Sequence, residues 1–257
     1  GEQVRIELPE GQLLLAVAVN VDDPSASINL SEAVQDRVLD WRTPEGNWEV
    51  LAFLANYALY ADFIYGSEPD YFEPSLVDTF FEFTHKRYAS RLQRYFGIVI
   101  KGIFTDEPKI QCIHHMHEDA NTTAWFADLP EQFASDHGYG LLDHLRCLAR
   151  DAGPPTARVR RDFWKTVTRC YIERYFERYS DWCRENGIAL TGHLFLEEGL
   201  YANTIYQGNF PQVLSKFDLP GVDHLALVAE GPYSIPQIPA SITRTHGRKL
   251  GSSVAHL

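Results

Sequence analysis

The chain has 257 residues, 45% of them hydrophobic and 13% aromatic, enough for one large domain or two small ones with a sizeable core. Its formal net charge of -12, with no Lys/Arg cluster, excludes a basic nucleic-acid footprint and gives no reason to expect binding to an anionic membrane. No run is long and apolar enough to span a bilayer, so a soluble, acidic protein acting on a neutral partner is expected. The many Trp, Tyr and Phe rings suit a carbohydrate, whose faces stack on aromatic side chains. Cys112, Cys147, Cys170 and Cys183 form no C-x-x-C pair and no zinc spacing, and they read as small buried hydrophobes. Neither a signal peptide nor an initiator Met stands at Gly1, and the pattern stops abruptly at Leu257. A fragment cut at both ends is expected, with its compartment left open.

In chain order, residues 1–47 read as a β-rich accessory segment. Val4–Leu8 alternates, Gln12–Val21 is an apolar β run, and Pro9-Glu10-Gly11 punctuates the two. Trp41-Arg42-Thr43-Pro44-Glu45-Gly46-Asn47-Trp48 fits a type I turn between strands. From Trp48 the rhythm becomes strand then helix, and residues 48–257 read as one catalytic domain. Trp48–Ala55 is its expected first strand, followed by an aromatic-rich loop over residues 56–71. A helix is predicted from Pro74, a favoured first position, to Gly97, with Val77, Phe80, Phe81, Tyr88 and Tyr95 on its apolar stripe. Ile98–Asp106 reads as a buried strand stopped by Pro108. Leu129–Leu148 is helical with a break near Gly138. A long helix is predicted from Arg158 to Asn186, with Val159, Phe163, Val167, Cys170, Tyr171, Arg174, Phe176, Tyr179 and Cys183 inward. Ile188–Leu194 and Leu219–Leu225 are further strands, and Ser241–Leu257 is read as a helix.

Strands alternating with helices imply a parallel sheet. Three of these strands end in ionisable residues: Asp106 and Glu107, His193 with Glu197 and Glu198 just beyond it, and Asp223 with His224. A barrel gathers every strand end into one bowl, so the fold class expected is α/β, a partial (β/α) TIM-type barrel after a short antiparallel β segment. Paired carboxylates at such an edge suit glycoside hydrolysis, in which one acid protonates the leaving oxygen. Adjacent strand residues face opposite ways, and Glu107 is favoured over Asp106 as that acid. His193 and Asp223 are candidates for binding sugar hydroxyls. A hard, oxygen-ligated cation such as Ca²⁺ could sit among Asp106, Glu197, Glu198 and Asp223. His114-His115-x-His117 lacks the H-E-x-x-H spacing of a zinc protease, but it keeps a metal-dependent hydrolase open as a rival reading. A non-catalytic carbohydrate-binding barrel, using the aromatics of Tyr57–Tyr71, is a second rival.

Taken in order, several motifs resemble those of the α-L-rhamnosidase-like glycoside hydrolases, family 106 of the carbohydrate-enzyme classification. They are Asp70-Tyr71-Phe72-Glu73-Pro74, Arg94-Tyr95-Phe96-Gly97, Lys101–Pro108, Thr191-Gly192-His193 through Glu197-Glu198, and Pro220–Leu225, and the likeness runs over nearly the whole chain. The resemblance implies an (α/β) barrel with β-sandwich appendages, hydrolysis of terminal α-L-rhamnosides with inversion, and calcium in the active site. It implies Glu107 as a catalytic acid; beside it, the reading of the residues themselves takes Asp70, Asp106, His193, Glu198, Asp223 and His224 as substrate-binding and Glu197 as a metal ligand. The resemblance also implies a partner carboxylate in a Ser-Glu pair on a strand beyond Ser252-Ser253-Val254-Ala255-His256, so this piece alone is expected to be inactive.

Overall fold

A computed structural model describes residues 1–56, 69–110, 122–197, 199–224, 234–247 and 252–255, with the backbone alone at residues 224, 234–236 and 252–255. Two compact units divide the chain, Gly1–Ser67 with Ala127–Phe163, and Glu68–Phe126 with Trp164–Leu257.

The first unit opens with six strands: β1 (Gln3–Glu7), β2 (Gln12–Asn20), β3 (Ser27–Asn29), β4 (Val34–Gln35), β5 (Val38–Arg42) and β6 (Trp48–Ala55). They form two antiparallel sheets, ordered β1-β5-β4 and β3-β2-β6. The Pro9-Glu10-Gly11 and Pro44–Asn47 breaks therefore carry the chain from one sheet to the other instead of closing hairpins. Ala16, Ala18, Leu30 and Leu39 are buried at the centre, with Trp41 and Trp48 meeting edge to face at 6.3 Å. Small residues at 16 and 18 let the large rings close over them. Trp48–Ala55 is a correction to the sequence reading. It runs antiparallel to β2 along Gln12–Asn20, so it does not open the strand–helix series. An apolar strand shows its period but not its partner.

Helix α1 (Pro74–Phe83) starts as expected, with Pro74 in its first turn and the Glu73 carboxylate accepting from Ser75 N at 3.1 Å. The single helix predicted to Gly97 instead breaks at Thr84, whose hydroxyl donates back to the Phe80 carbonyl at 2.6 Å. A second helix, α2 (His85–Leu92), follows and turns His85 inward to Tyr179 Oη at 2.8 Å. The break rotates the expected stripe: Val77 and Phe81 are buried, whereas Phe80, Tyr88 and Tyr95 stay exposed. Ile98 and Val99 are also exposed, because the turn at Gly97 leaves the 98, 99 and 100 amides all on the Tyr95 carbonyl. Strand β7 is therefore only Gly102–Asp106.

Helices α3 (Leu129–His137) and α4 (Arg146–Ala149) belong to the first unit, and Gly138, at φ 74°, ends α3 as expected. The long helix is present but not uniform. It runs as α5 (Thr156–Tyr171), a π segment over Ile172–Glu177, and α6 (Arg178–Glu185). Its predicted inward side holds at Val159, Phe163, Val167, Cys170, Tyr171, Phe176, Tyr179 and Cys183, all buried, but not at Arg174, which is only partly buried and donates to the Phe72 carbonyl at 3.0 Å. The wider π turn carries Tyr175, whose hydroxyl lies 3.5 Å from Thr105 Oγ1 on β7.

Strands β8 (Ala189–His193) and β9 (Leu219–His224) flank α7 (Leu200–Gln207) and α8 (Phe210–Leu214). Helix α9 (Ser234–Thr245) then precedes β10 (Ser252–Ala255). Of the last segment, read as one helix from Ser241, the described residues are instead the end of α9, followed by Gly247 at φ 61°, and strand β10. β7, β8, β9 and β10 are all parallel and lie side by side in chain order. The fold is mixed α/β, with two antiparallel sheets and one parallel sheet, and among the described residues the parallel sheet does not close into a barrel.

Candidate active site

The parallel register sets the site. Gly102 pairs with Ala189 and each residue follows in step until Asp106 stands beside His193. Gly192 is what allows this approach: it has φ 146°, and a Cβ there would lie 2.1 Å from the Thr105 carbonyl oxygen. Immediately past β7, Glu107 adopts φ 45°, an uncommon conformation for a residue with a side chain. Such strain costs of order 1–3 kcal/mol and persists where the surroundings impose it. Here Pro108 follows and is buried, which ends the ladder.

Glu107, His193 and Asp223 offer ligand atoms that all lie within 4.8 Å of one another. They come from the C-terminal ends of β7, β8 and β9. His193, 4% exposed at its side chain, meets Asp106 Oδ1 through Nε2 at 2.9 Å, while Asp106 is 76% exposed. An imidazole held by a carboxylate has its orientation fixed. Glu107 is half-buried, and its carboxyl is raised above the usual range. Burial is the main cause; the positive charge of His193 opposes it, the negative charge of Asp106 adds to it, Lys109 opposes and Asp223 adds. Glu107 is thus the carboxyl at this edge biased toward its protonated form.

Glu197 is buried, and its two oxygens accept from the Leu194 and Asp223 backbone amides at 2.8 and 2.7 Å. Sequence reasoning marked this residue but not this role, because its partner lies 26 residues away. It missed Asn203 and Gln207 altogether. Both face inward on α7 and donate to the Glu197 and Phe195 carbonyls, each at 3.2 Å. Polar residues at i and i+4 on either side of the buried Ile205 and Tyr206 were the available signal, since a buried face seldom takes two amides without use for them. Lys109, also unremarked, sits 5.2 Å above the Phe195 ring.

Of the other expected residues, Asp70 is exposed and caps the turn into α1, accepting from Phe72 N at 2.9 Å. Tyr71 packs its ring 4.8 Å from Tyr175 and 6.0 Å from Tyr171. His224 lies at the end of β9, where only its backbone is described. Glu198, Cys112, the His114–His117 stretch and residues 57–68 lie outside the described residues. Cys147, Cys170 and Cys183 are buried free thiols, as expected. For calcium, the described donor set of two carboxylates and one imidazole is a poor match, since that ion takes six to eight oxygens. The oxygens of Glu197, the expected ligand, are engaged by amides.

No family model matches the chain. A curated relative from Formosa agariphila, named "Putative beta-glucuronidase", is 24% identical over 171 residues, 63% of this chain and 14% of that protein. Among solved structures, the rhamnosidase from Novosphingobium sp. PP1Y superposes with a TM-score of 0.55 at 20% identity, covering 90% of this chain and 22% of that one. The chain therefore spans less than a quarter of either protein, and the likeness establishes a glycoside-hydrolase-like fold.

Proposed function

We propose that this chain is the acid-bearing part of a glycoside hydrolase that removes terminal neutral sugars, α-L-rhamnosides first among them, with Glu107 as general acid. The observation that carries the reading is the raised Glu107 carboxyl at the edge of a parallel sheet, within 4.8 Å of His193 and Asp223. A general acid must hold its proton near working pH and release it as the bond breaks. Glu107 would donate that proton to the glycosidic oxygen as the C–O bond cleaves, and the sugar would take on oxocarbenium character. The Asp106–His193 pair and Asp223 would accept from sugar hydroxyls and orient the ring. Asp223 is a poor candidate for an inverting base. Its oxygen lies within 4.8 Å of Glu107, whereas inverting carboxyls stand roughly 6.5–9.5 Å apart to admit a water.

The sequential parallel order β7-β8-β9-β10 supports an arc of a barrel, because a doubly wound sheet reverses its strand order. Asp106 and Asp223 beside Glu107 favour a neutral sugar over a glucuronide, whose own carboxylate they would repel. The test uses the full-length protein that carries this chain, on aryl α-L-rhamnoside and aryl β-D-glucuronide, as wild type and as Glu107→Gln. Rhamnoside turnover lost in the folded variant is expected. Turnover untouched by Glu107→Gln removes Glu107 from catalysis, and glucuronide as the better substrate overturns the neutral-sugar reading. Sugar binding without turnover would make the chain a carbohydrate-binding module.

A further inference from the structure

The loop after β8 is organised by one buried carboxylate. Glu197 is 4% exposed, and its Oε1 accepts from the amide of Leu194, the residue that follows His193. Its Oε2 accepts from the amide of Asp223. One side chain thus bridges the two strand ends that deliver two of the three clustered groups. The loop itself is held from α7: Asn203 Nδ2 donates to the Glu197 carbonyl and Gln207 Nε2 to the Phe195 carbonyl. The same helix offers its Tyr206 carbonyl to the Ile110 amide at 2.8 Å, which anchors the segment leading away from Glu107. Leu196 takes φ 50° between these anchors, so the loop is drawn into a shape its own residues do not prefer.

We infer that Glu197 is a positioning residue that sets the spacing of His193 and Asp223 about Glu107. A carboxylate accepts from both amides at once, one through each oxygen. A glutamine at this position has one acceptor oxygen and would turn a donor against the second amide. The geometric claim stands on the two strand ends alone, and only its catalytic consequence rests on the glycosidase reading.

The test compares wild type with Glu197→Gln by amide hydrogen exchange and by the nitrogen signals of the His193 imidazole. Exchange at both Leu194 and Asp223 is expected to rise about tenfold or more, as loss of a charge-assisted bond requires. The Leu190 amide, held by Asp218 Oδ2 at 3.0 Å, should keep its rate. The His193 signals should shift. In the full-length protein kcat on its glycoside should fall about tenfold or more with KM held within about threefold, the signature of lost alignment. Unchanged exchange at either amide overturns the inference. Raised exchange with His193 signals and kcat unchanged also overturns it, leaving Glu197 as a staple with no bearing on the site. If wild type turns over no glycoside, the functional reading fails, and the exchange rates and His193 signals still decide the positioning role. Should Glu197→Gln not fold, Asn203→Ala removes the outer prop alone. It should move the His193 signals in the same direction by less, and unmoved signals there overturn the inference.

Discussion

Asp162 and Glu107 are both drawn out of water beside an imidazole, His137 for the first and His193 for the second. Burial pushes both carboxyls up. At Asp162 that push is outweighed: Arg161 Nε and Tyr139 Oη donate to it at 3.0 Å each, His137 and Arg161 add positive charge, and the carboxyl ends below its ordinary range. At Glu107 the neighbours divide, His193 and Lys109 against Asp106 and Asp223, and burial prevails. A buried acid with committed donors is a fixed anion that holds structure. A half-buried acid among other acids is biased to keep its proton. The more deeply buried of the two is the one held as an anion, so the company of each group decides.

The sharpest way to break this comparison is to neutralise each acid in turn. Glu107→Gln should lower kcat by about 10²–10⁴ and leave the melting temperature level or higher, because it replaces a desolvated ionisable group with a neutral one. Asp162→Asn should do the reverse, costing about 2–3 kcal/mol in denaturant unfolding with turnover unchanged, since it strips a buried anion from its donors. Equal effects in both assays would erase the distinction.

Acidity probes the same contrast. The Asp162 contribution is present above the ordinary aspartate pKa and is lost as pH falls through its depressed folded value. Glu107 runs the other way: its raised pKa means the folded state binds the proton more tightly, so it erodes stability as pH rises through that value. Glu107→Gln should therefore stabilise the chain more at pH 7 than at pH 4. His85 supplies a third case, buried with no counter-charge on it among the described residues and pushed down to about 4 by burial. Its contribution is whole above its ordinary 6.5 and disappears as pH falls toward 4, roughly 3 kcal/mol in all. Unfolding free energies across that interval should show a slope that His85→Gln removes. The smallest effect belongs to Glu49, lowered chiefly by its bond from Arg150, whose guanidinium reaches both its oxygens at 2.7 and 3.1 Å. Both side chains are two-fifths or more exposed, so Arg150→Ala should cost less than about 1 kcal/mol.

What the sequence showed of this molecule was what depends on neighbours in the chain. Gly102–Asp106, Ala189–His193 and Leu219–His224 announce themselves as apolar runs with hard stops, and their ionisable ends were legible for the same reason. Trp48–Ala55 was equally visible as a strand, but its antiparallel partner is a matter of distant pairing. The Thr84 break was hidden because threonine carries no stop signal, and its hydroxyl acts on Phe80 only once a helix exists. Glu197 looked like a ligand from its position. Its two amide partners became apparent only when β9 lay beside β8.

Gly192 has one more consequence. A parallel pair can ordinarily slide along itself and find other hydrogen-bonded alignments, since every residue offers the same amide and carbonyl. Here the two strands pass so close at the Thr105 carbonyl that only a hydrogen atom fits between them. The bend that makes this approach, φ 146° at residue 192, suits glycine, whereas Leu190, Thr191, His193 and Leu194 all carry a Cβ, so an alignment that set one of them opposite Thr105 could not reproduce it. Excluded volume, rather than bond energy, keys the two strands together like a notch and tooth. The alignment that survives is the one that sets Asp106 against His193.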